Sequence, residues 1–303
     1  MEKKTPHEFH SIGAYHQFRG LPAPDHPLIS VINFDAIHLR ADEPDRIVSR
    51  FYTIALKRHP GARLIYGQQE YDFNEGVMLF MAPGQVFGIR GTNDERPSGW
   101  LLMVHPDFLW NTHLGRTLKH YEFFDYAANE ALFLSKKEEG SIIDILKSME
   151  QEYHGNMDNF SHDIIIAQLE LLLSYSQRYY NRQFITRRIT NHKMVERMEK
   201  LLNAHFAEGT YQVQGIPTVE QMAEWLHVSP KYLSGLLKNI TGQSTQQHIQ
   251  NKLIDKAKEK LSTTALSISE IAYELGFEHP QSFSKLFKAK TEQSPRAFRS
   301  RFN

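Results

Sequence analysis

The chain has 303 residues, 41% of them hydrophobic, with 35 acidic and 35 Lys or Arg side chains, so it can build more than one core and is not a polycationic coat for nucleic acid. No apolar run approaches the roughly 18 residues of a membrane span, and the lack of cysteine removes disulfides, thiolate metal sites and cysteine nucleophiles. The opening Met1-Glu2-Lys3-Lys4-Thr5-Pro6-His7 leads into no apolar stretch or small-residue cleavage site, so a cytoplasmic protein with no membrane partner is expected.

Residues 28 to 105 hold β-branched and aromatic residues in short runs broken by Gly, Pro, Asn and Asp. Strands are predicted at Leu28–Phe34, Arg50–Lys57, Arg63–Tyr66, Gly76–Phe80 and Trp100–His105. Turn material sits at His59-Pro60-Gly61, Pro83-Gly84 and Gly91-Thr92-Asn93-Asp94. Strands at this spacing imply a sandwich or small barrel, because each must bury one face against another sheet. Tyr52, Tyr66, Phe80, Phe87, Arg90 and Trp100 alternate within these runs. They are candidates to line an effector pocket in which Arg90 pairs an acidic ligand; the same aromatics would equally serve to fill the core.

The apolar period then changes. Ile142, Ile145, Leu146, Met149 and Tyr153 form one stripe of a helix over Lys137–Tyr153. A second helix, from Asn159 to about Arg182, carries Ile164, Ile165, Ala167, Leu169, Leu172, Leu173, Tyr175 and Tyr179 on more than one face. Either it is sandwiched inside its own domain or its spare face is a dimer contact, with helices 137–155 and 159–182 joining two copies. The polar, basic stretch between Tyr180 and Lys193 marks a boundary, giving domains 1–185 and 186–303. Beyond it Val195, Met198, Leu201, Leu202 and His205 begin a third helical stripe, and Gly209 and Gly215 bracket the following loop.

Charge is uneven: residues 191–303 hold 15 Lys plus Arg against 11 Asp plus Glu, and the rest 20 against 24. The basic half also contains a repeat. Thr218-Val219-Glu220-Gln221 and Ser267-Ile268-Ser269-Glu270 have capping-box form and can each start a helix. Apolar stripes follow, Met222, Ala223 and Leu226 in one copy and Ile271, Ala272 and Leu275 in the other. Tight turns at His227-Val228 and Gly276-Phe277 come next, with His227 bearing more strain than glycine. Second helices are launched by Ser229-Pro230 and His279-Pro280, where proline suits the first helical position. A small residue pair, a turn and a helix apolar on one side only read as a helix-turn-helix. Two copies are too few for a helical solenoid. Ser244 to Leu261 form the linking helix, with Ile249, Leu253, Ala257 and Leu261 on one stripe.

Residues 217–302 resemble the DNA-binding domain of the AraC/XylS family of bacterial transcription regulators. The resemblance rests on Ser229-Pro230-Lys231-Tyr232-Leu233, Ile268-Ser269-Glu270-Ile271-Ala272, Gly276-Phe277, Phe283-Ser284-Lys285-Leu286-Phe287-Lys288 and Ser294-Pro295. It implies an α+β protein: an N-terminal cupin-like β-barrel or sandwich with a helical hairpin, then an all-α domain of two helix-turn-helix units joined by a linking helix. It implies double-stranded DNA as the partner, read in the major groove, with RNA polymerase and a small-molecule effector as further expected partners. Lys231, Ser234, Gly235, Gln281, Ser284 and Lys285 would face bases, the first unit being chemically poor. Lys238, Lys288, Lys290, Arg296 and Arg299 would hold phosphates, and Tyr232 is divided between a backbone contact and helix packing. Two positions depart from the family pattern: Lys252 replaces an arginine in the linking helix, and Glu292 replaces a glycine after the second recognition helix, where a looser helix end is expected. A metal-dependent cupin enzyme would need two histidines one residue apart with a carboxylate nearby, whereas His38, His59, His105, His113 and His120 are scattered. No catalytic residue, metal or cofactor is expected.

Overall fold

The computed structural model describes residues 6–34, 37, 46–58, 63–66, 69–72, 76–87, 98–127, 130–155, 158, 160–186, 188–207 and 215–302. The chain separates into two compact units, Met1–Gln183 and Phe184–Asn303.

In the first unit the strands are β1 (His7–Phe9), β2 (Ile29–Asn33), β3 (Ile47–Ser49), β4 (Tyr52–Arg58), β5 (Arg63–Tyr66), β6 (Gln69–Asp72), β7 (Val77–Met81), β8 (Val86–Phe87), β9 (Ser98–Val104) and β10 (Leu132–Phe133). They form a five-stranded sheet in the order β10-β7-β4-β9-β2, a three-stranded sheet β1-β3-β8 and the hairpin β5-β6. The five-stranded sheet is antiparallel throughout and open, ending at β10 and β2. Among the described residues the strands do not close into the expected barrel. The sandwich alternative fits better, since Phe9 of β1 and Ile47 of β3 share one apolar cluster with Ile32, Ala55, Leu101 and Met103 of the larger sheet. Helix α1 (Ile12–Arg19) adds Ile12 and Tyr15 to that cluster; it is capped by Ser11 and closed by Gly20 at φ 66°.

Strand register decides what each side of the large sheet does. Tyr52 pairs with Val104, Ile54 with both Leu102 and Phe80, and Leu56 with Trp100 and Met78, so these residues share a face. That face is covered by helices and aromatics, not by the second sheet. Phe80 lies 4.4 Å from Phe123 ring to ring, and Phe123 stacks on Tyr180 at 5.4 Å. Phe80 and Trp100 are buried core residues, and Tyr52 is half-buried with its ring edge-on to Phe124. Of the expected pocket residues with described side chains, Phe80 and Trp100 fill the core and Tyr52 alone is partly open to solvent. Tyr66 and Phe87 lie in β5 and β8 with side chains outside the described residues, and Arg90 lies outside them altogether. The expected turns at 59–61 and 91–94 are also outside; Gly84, at φ 82°, donates its N–H to Ser49 at 2.8 Å.

Helices α2 (His113–Thr117), α3 (Lys136–His154) and α4 (Ser161–Thr186) complete this unit, α4 running on into the second unit from Phe184. A capping box at Ser135 and Glu138 starts α3. Its stripe Ile142, Ile145, Leu146, Met149 and Tyr153 is buried as expected. Two polar links tie α3 to the sheet unit. Buried Glu139 accepts a hydrogen bond from Arg58 Nε, and the Tyr153 hydroxyl accepts the Asp25 N–H at 2.7 Å. Helix α4 clasps β10: Tyr180 donates to the Glu130 carbonyl, Gln183 both accepts from Phe133 N and donates to the Ala131 carbonyl, and Arg182 donates to Phe133 O and to Glu138 at 2.7 Å.

Gly99 marks the tightest point of the sheet. Its φ is +122°, and a Cβ there would overlap the Leu56 carbonyl. Gly99→Ala is expected to lower stability by about 2–4 kcal/mol through strain and displaced strands. Thermal or urea unfolding of the full chain measures this; an unchanged midpoint would contradict the register between β4 and β9.

Candidate nucleic-acid interface

The second unit is helical: α5 (Arg188–Ala207), α6 (Val219–Leu226), α7 (Pro230–Thr241), α8 (Thr245–Thr263), α9 (Ile268–Glu274), α10 (Pro280–Thr291) and α11 (Pro295–Arg299). Both expected capping boxes are present, Thr218 with Gln221 and Ser267 with Glu270. A further one, Ser244 with Gln247, starts α8 and went unread in the sequence.

The two helix pairs turn in the same way. After α6, His227 adopts φ 58°, and the N–H groups of His227 and Val228 bond to the carbonyls of Glu224 and Ala223 at 3.0 Å. After α9, Gly276 adopts φ 84°, and Gly276 and Phe277 bond to Tyr273 and Ala272 at 2.9 and 3.0 Å. Each is a Schellman-type closure that satisfies otherwise orphaned carbonyls. A Cβ on Gly276 would meet Gly215 Cα at 3.1 Å, so here glycine serves both the turn and a close backbone approach.

Helices α7 and α10 have 12 residues each and both begin with proline. Leu233, Leu236 and Leu237 are buried on α7, as are Phe283 and Phe287 on α10. Their opposite sides are exposed at Lys231 and Lys238, and at Gln281, Lys285, Lys288 and Lys290. Ser282, absent from the expected set, is also exposed beside Gln281 and Lys285, as is Asn239 beside Lys238. Their i, i+1, i+4 spacing was legible, but short polar side chains carry little signal in a single sequence. Arg296 is exposed on α11.

Several expected contacts are occupied by the fold. Ser234 is half-buried with its hydroxyl 3.1 Å from Thr245 Oγ1, so it ties α7 to α8. Gly235 is half-buried and its carbonyl accepts from Asn239 at 2.9 Å. Tyr232 is 8% exposed with its ring edge-on to Phe184 at 5.3 Å, which favours the packing role over the phosphate role. Ser284 is half-buried. Lys290 donates to Asn251 Oδ1 at 3.1 Å, and Asn251 donates in turn to Gln243 at 2.9 Å. Arg299 is half-buried and donates to the Leu261 carbonyl at 3.3 Å, placing its charge at the C-terminal end of α8.

The linking helix α8 has 19 residues, about 28 Å of rise. It buries the expected Ile249, Leu253, Ala257 and Leu261, together with Ile254. Lys252 is half-buried within it. Burial pushes the His248 imidazole below its ordinary range, with Glu199 opposing, and its Nε2 lies 2.8 Å from Thr241 Oγ1.

The helix-turn-helix domain family matches residues 222–301. The C-terminal unit is an AraC/XylS-type helix-turn-helix domain. An uncharacterised HTH-type transcriptional regulator of Bacillus subtilis, YfiF, is 33% identical over 144 residues, covering 48% of this chain and 42% of that protein. The transcriptional activator RhaS of Escherichia coli is 23% identical over 251 residues, covering 82% and 85% of the two chains. Among solved structures, an AraC-type regulator from Chromobacterium violaceum is 22% identical with a TM-score of 0.28, covering 31% of this chain and 89% of that one. The chain spans only 30–42% of the length of the first curated relatives it matches.

The AraC/XylS-type domain closes its second recognition helix without the family glycine. Glu292 sits at φ 62° and its N–H reaches the Lys288 carbonyl at 2.8 Å, while Gly242 at φ 73° closes α7 at 3.1 Å. The looser helix end expected from Glu292 does not occur; the cost is backbone strain instead. Glu292→Gly is expected to stabilise by about 1 kcal/mol and Gly276→Ala to destabilise by at least as much. Opposite shifts of the unfolding midpoint check the pair.

Acid acts on the cap of α9. Hydrogen bonds from the Ser267 hydroxyl and N–H hold the Glu270 carboxyl below its ordinary value. Its contribution is present above the unfolded carboxylate range and is lost as pH falls through the lower folded value. Midpoints for wild type and Glu270→Gln should converge on acidification across that window; a constant gap would remove Glu270 as the titrating cap.

Proposed function

We propose that the chain is a transcription regulator that binds a specific double-stranded DNA site through α7 and α10. The observation that carries this is the paired geometry: two Pro-started helices of equal length, one after each Schellman turn, joined by a linking helix of about 28 Å. That length is close to the 34 Å between successive major-groove turns. Base discrimination rests mainly on α10, where Gln281 suits an adenine edge, Lys285 suits guanine acceptors and Ser282 stands beside them. Lys231 is the long exposed side chain that α7 offers to bases. Lys238, Lys288 and Arg296 serve phosphates. RhaS is named an activator, and the same role, with RNA polymerase as protein partner, is proposed for this chain.

The N-terminal unit is read as a cupin-like sandwich that controls DNA binding through a small-molecule effector or through dimerisation. A cytoplasmic place agrees with the absence, among the described residues, of a helix long and apolar enough to cross a membrane.

The test is anisotropy titration of the full chain against fragments from upstream of its own gene, at several salt concentrations. Gln281→Ala with Lys285→Ala is expected to lose about 10- to 100-fold or more on the preferred fragment, since each good base pairing contributes about 1–3 kcal/mol. Lys288→Ala should weaken all fragments alike and reduce the salt slope by about one contact. Equal, weak binding to every fragment, unaltered in the double variant, overturns the proposal.

A further inference from the structure

We propose that Asn251 of the linking helix is a positioning residue that, through Lys290, holds α10 at a fixed offset from α7 and so selects the spacing between the two DNA segments that are read. The inference rests on the DNA-binding reading above and names the side chains that hold its geometry. Asn251 is half-buried near the middle of α8 and bonds in two directions. Its amide nitrogen donates to Gln243 Oε1 at 2.9 Å, in the turn that follows α7. Its amide oxygen accepts from Lys290 Nζ at 3.1 Å, in the last turn of α10.

Asn251 ends a polar row along α8. Buried Thr245 meets the Ser234 hydroxyl at 3.1 Å, and His248 Nε2 meets Thr241 Oγ1 at 2.8 Å. Positions 245, 248 and 251 step by three and so follow one strip of the helix surface. The first two reach α7; the third reaches α10 as well. Farther along α8, Lys260 bonds Glu274 of α9 at 2.6 Å and the Leu261 carbonyl accepts from Arg299 of α11. Those ties lie about 14 Å from Asn251 along the axis. They pin the second helix pair at one end, and Asn251 stops α10 from swinging about it. Burial of Phe283 and Phe287 holds α10 down, but apolar burial is non-directional and sets no offset by itself.

The repeat separates this link from the turn that carries it. Gln293 follows α10 as Gln243 follows α7, and the N–H of each bonds to the hydroxyl of the threonine two residues before it. Gln293 Oε1, however, is buried with no hydrogen-bond partner among the described residues, and Arg301 stands eight residues on, where the first copy has Asn251. The amide bridge thus belongs to the junction between the two copies and not to the turn as such. Lys290 changes meaning accordingly. Its ammonium is engaged by α8, so it acts on DNA by holding α10 and not by neutralising a phosphate.

The full chain is titrated by anisotropy against its preferred fragment and against the same fragment with one base pair inserted or removed between the two protected segments, a shift of about 3.4 Å. Asn251→Leu and Lys290→Met are each expected to cut the preference for the native spacing about fivefold, and the two together no further. Asn251→Asp keeps an acceptor for Lys290 and should retain the preference within about twofold. The salt slope of Lys290→Met should equal that of the wild type, whereas loss of a phosphate contact lowers it by about 0.9. A lowered slope with the spacing preference intact overturns the proposal, as does an Asn251→Asp chain that behaves like Asn251→Leu. Lys290 is exposed, so Lys290→Met keeps the test open if Asn251→Leu fails to fold. Acylation of the free protein, read by mass spectrometry with Lys288 as internal reference, checks the contact without DNA. Lys290 should be labelled about threefold faster in Asn251→Leu than in the wild type, and equal rates overturn the contact. Wild-type binding that is alike on every fragment removes the DNA-binding reading, and labelling then decides the Asn251–Lys290 contact alone.

Discussion

A residue in the left-handed region after each short first helix governs the arrangement of the C-terminal unit. At His227 and Gly276 the chain reverses within two residues, and the same pair of hydrogen bonds closes both helices. Without that reversal, the apolar sides of α7 and α10 could not return to Ala223 and Ala272, and their polar sides would not be left outward. The L-residue at His227 accepts a strained conformation costing on the order of 1–2 kcal/mol. Gly276 avoids that strain and also allows the Gly215 backbone to approach.

The N-terminal unit is arranged around the two unlike faces of one sheet. One face meets a second sheet and α1 through Phe9, Ile47 and their neighbours. The other meets α3, α4 and the aromatics Phe123, Phe124 and Tyr180. Arg58 and Glu139 place an ion pair across that second boundary, where exposure of Arg58 limits its energetic weight and leaves it chiefly a fixed contact between strand and helix.

What the sequence disclosed was local chemistry with a fixed offset. Thr218 with Gln221, Ser267 with Glu270, Pro230 and Pro280 each state a helix start within four residues, and all are found where expected. The stripe of α3 was equally legible, because Ile142 to Tyr153 repeats a single period. Alternation in the strands was legible, but which face meets which layer was not, because that depends on partners far along the chain. Phe80 and Trp100 were thus candidates for a pocket although Phe123 and α3 lie over their face. Three-residue strands such as His7–Phe9 and Ile47–Ser49 carry too few positions for a period to show. Ser234 looked like an outward residue of a recognition helix, and Tyr232 stood open between a backbone contact and packing; burial against Phe184 and bonding to Thr245 are tertiary facts.

The unequal chemistry of α7 and α10 has a consequence for the DNA proposed as partner. A helix whose outer face offers Lys231 but a tied Ser234 and a bare Gly235 distinguishes few bases, whereas one offering Gln281, Ser282 and Lys285 distinguishes several. An operator read in this way stores its information lopsidedly. If the proposed contacts hold, mutational drift in the half under α7 would leave regulation largely intact and the half under α10 would stay under purifying selection, so sites would diverge from one end.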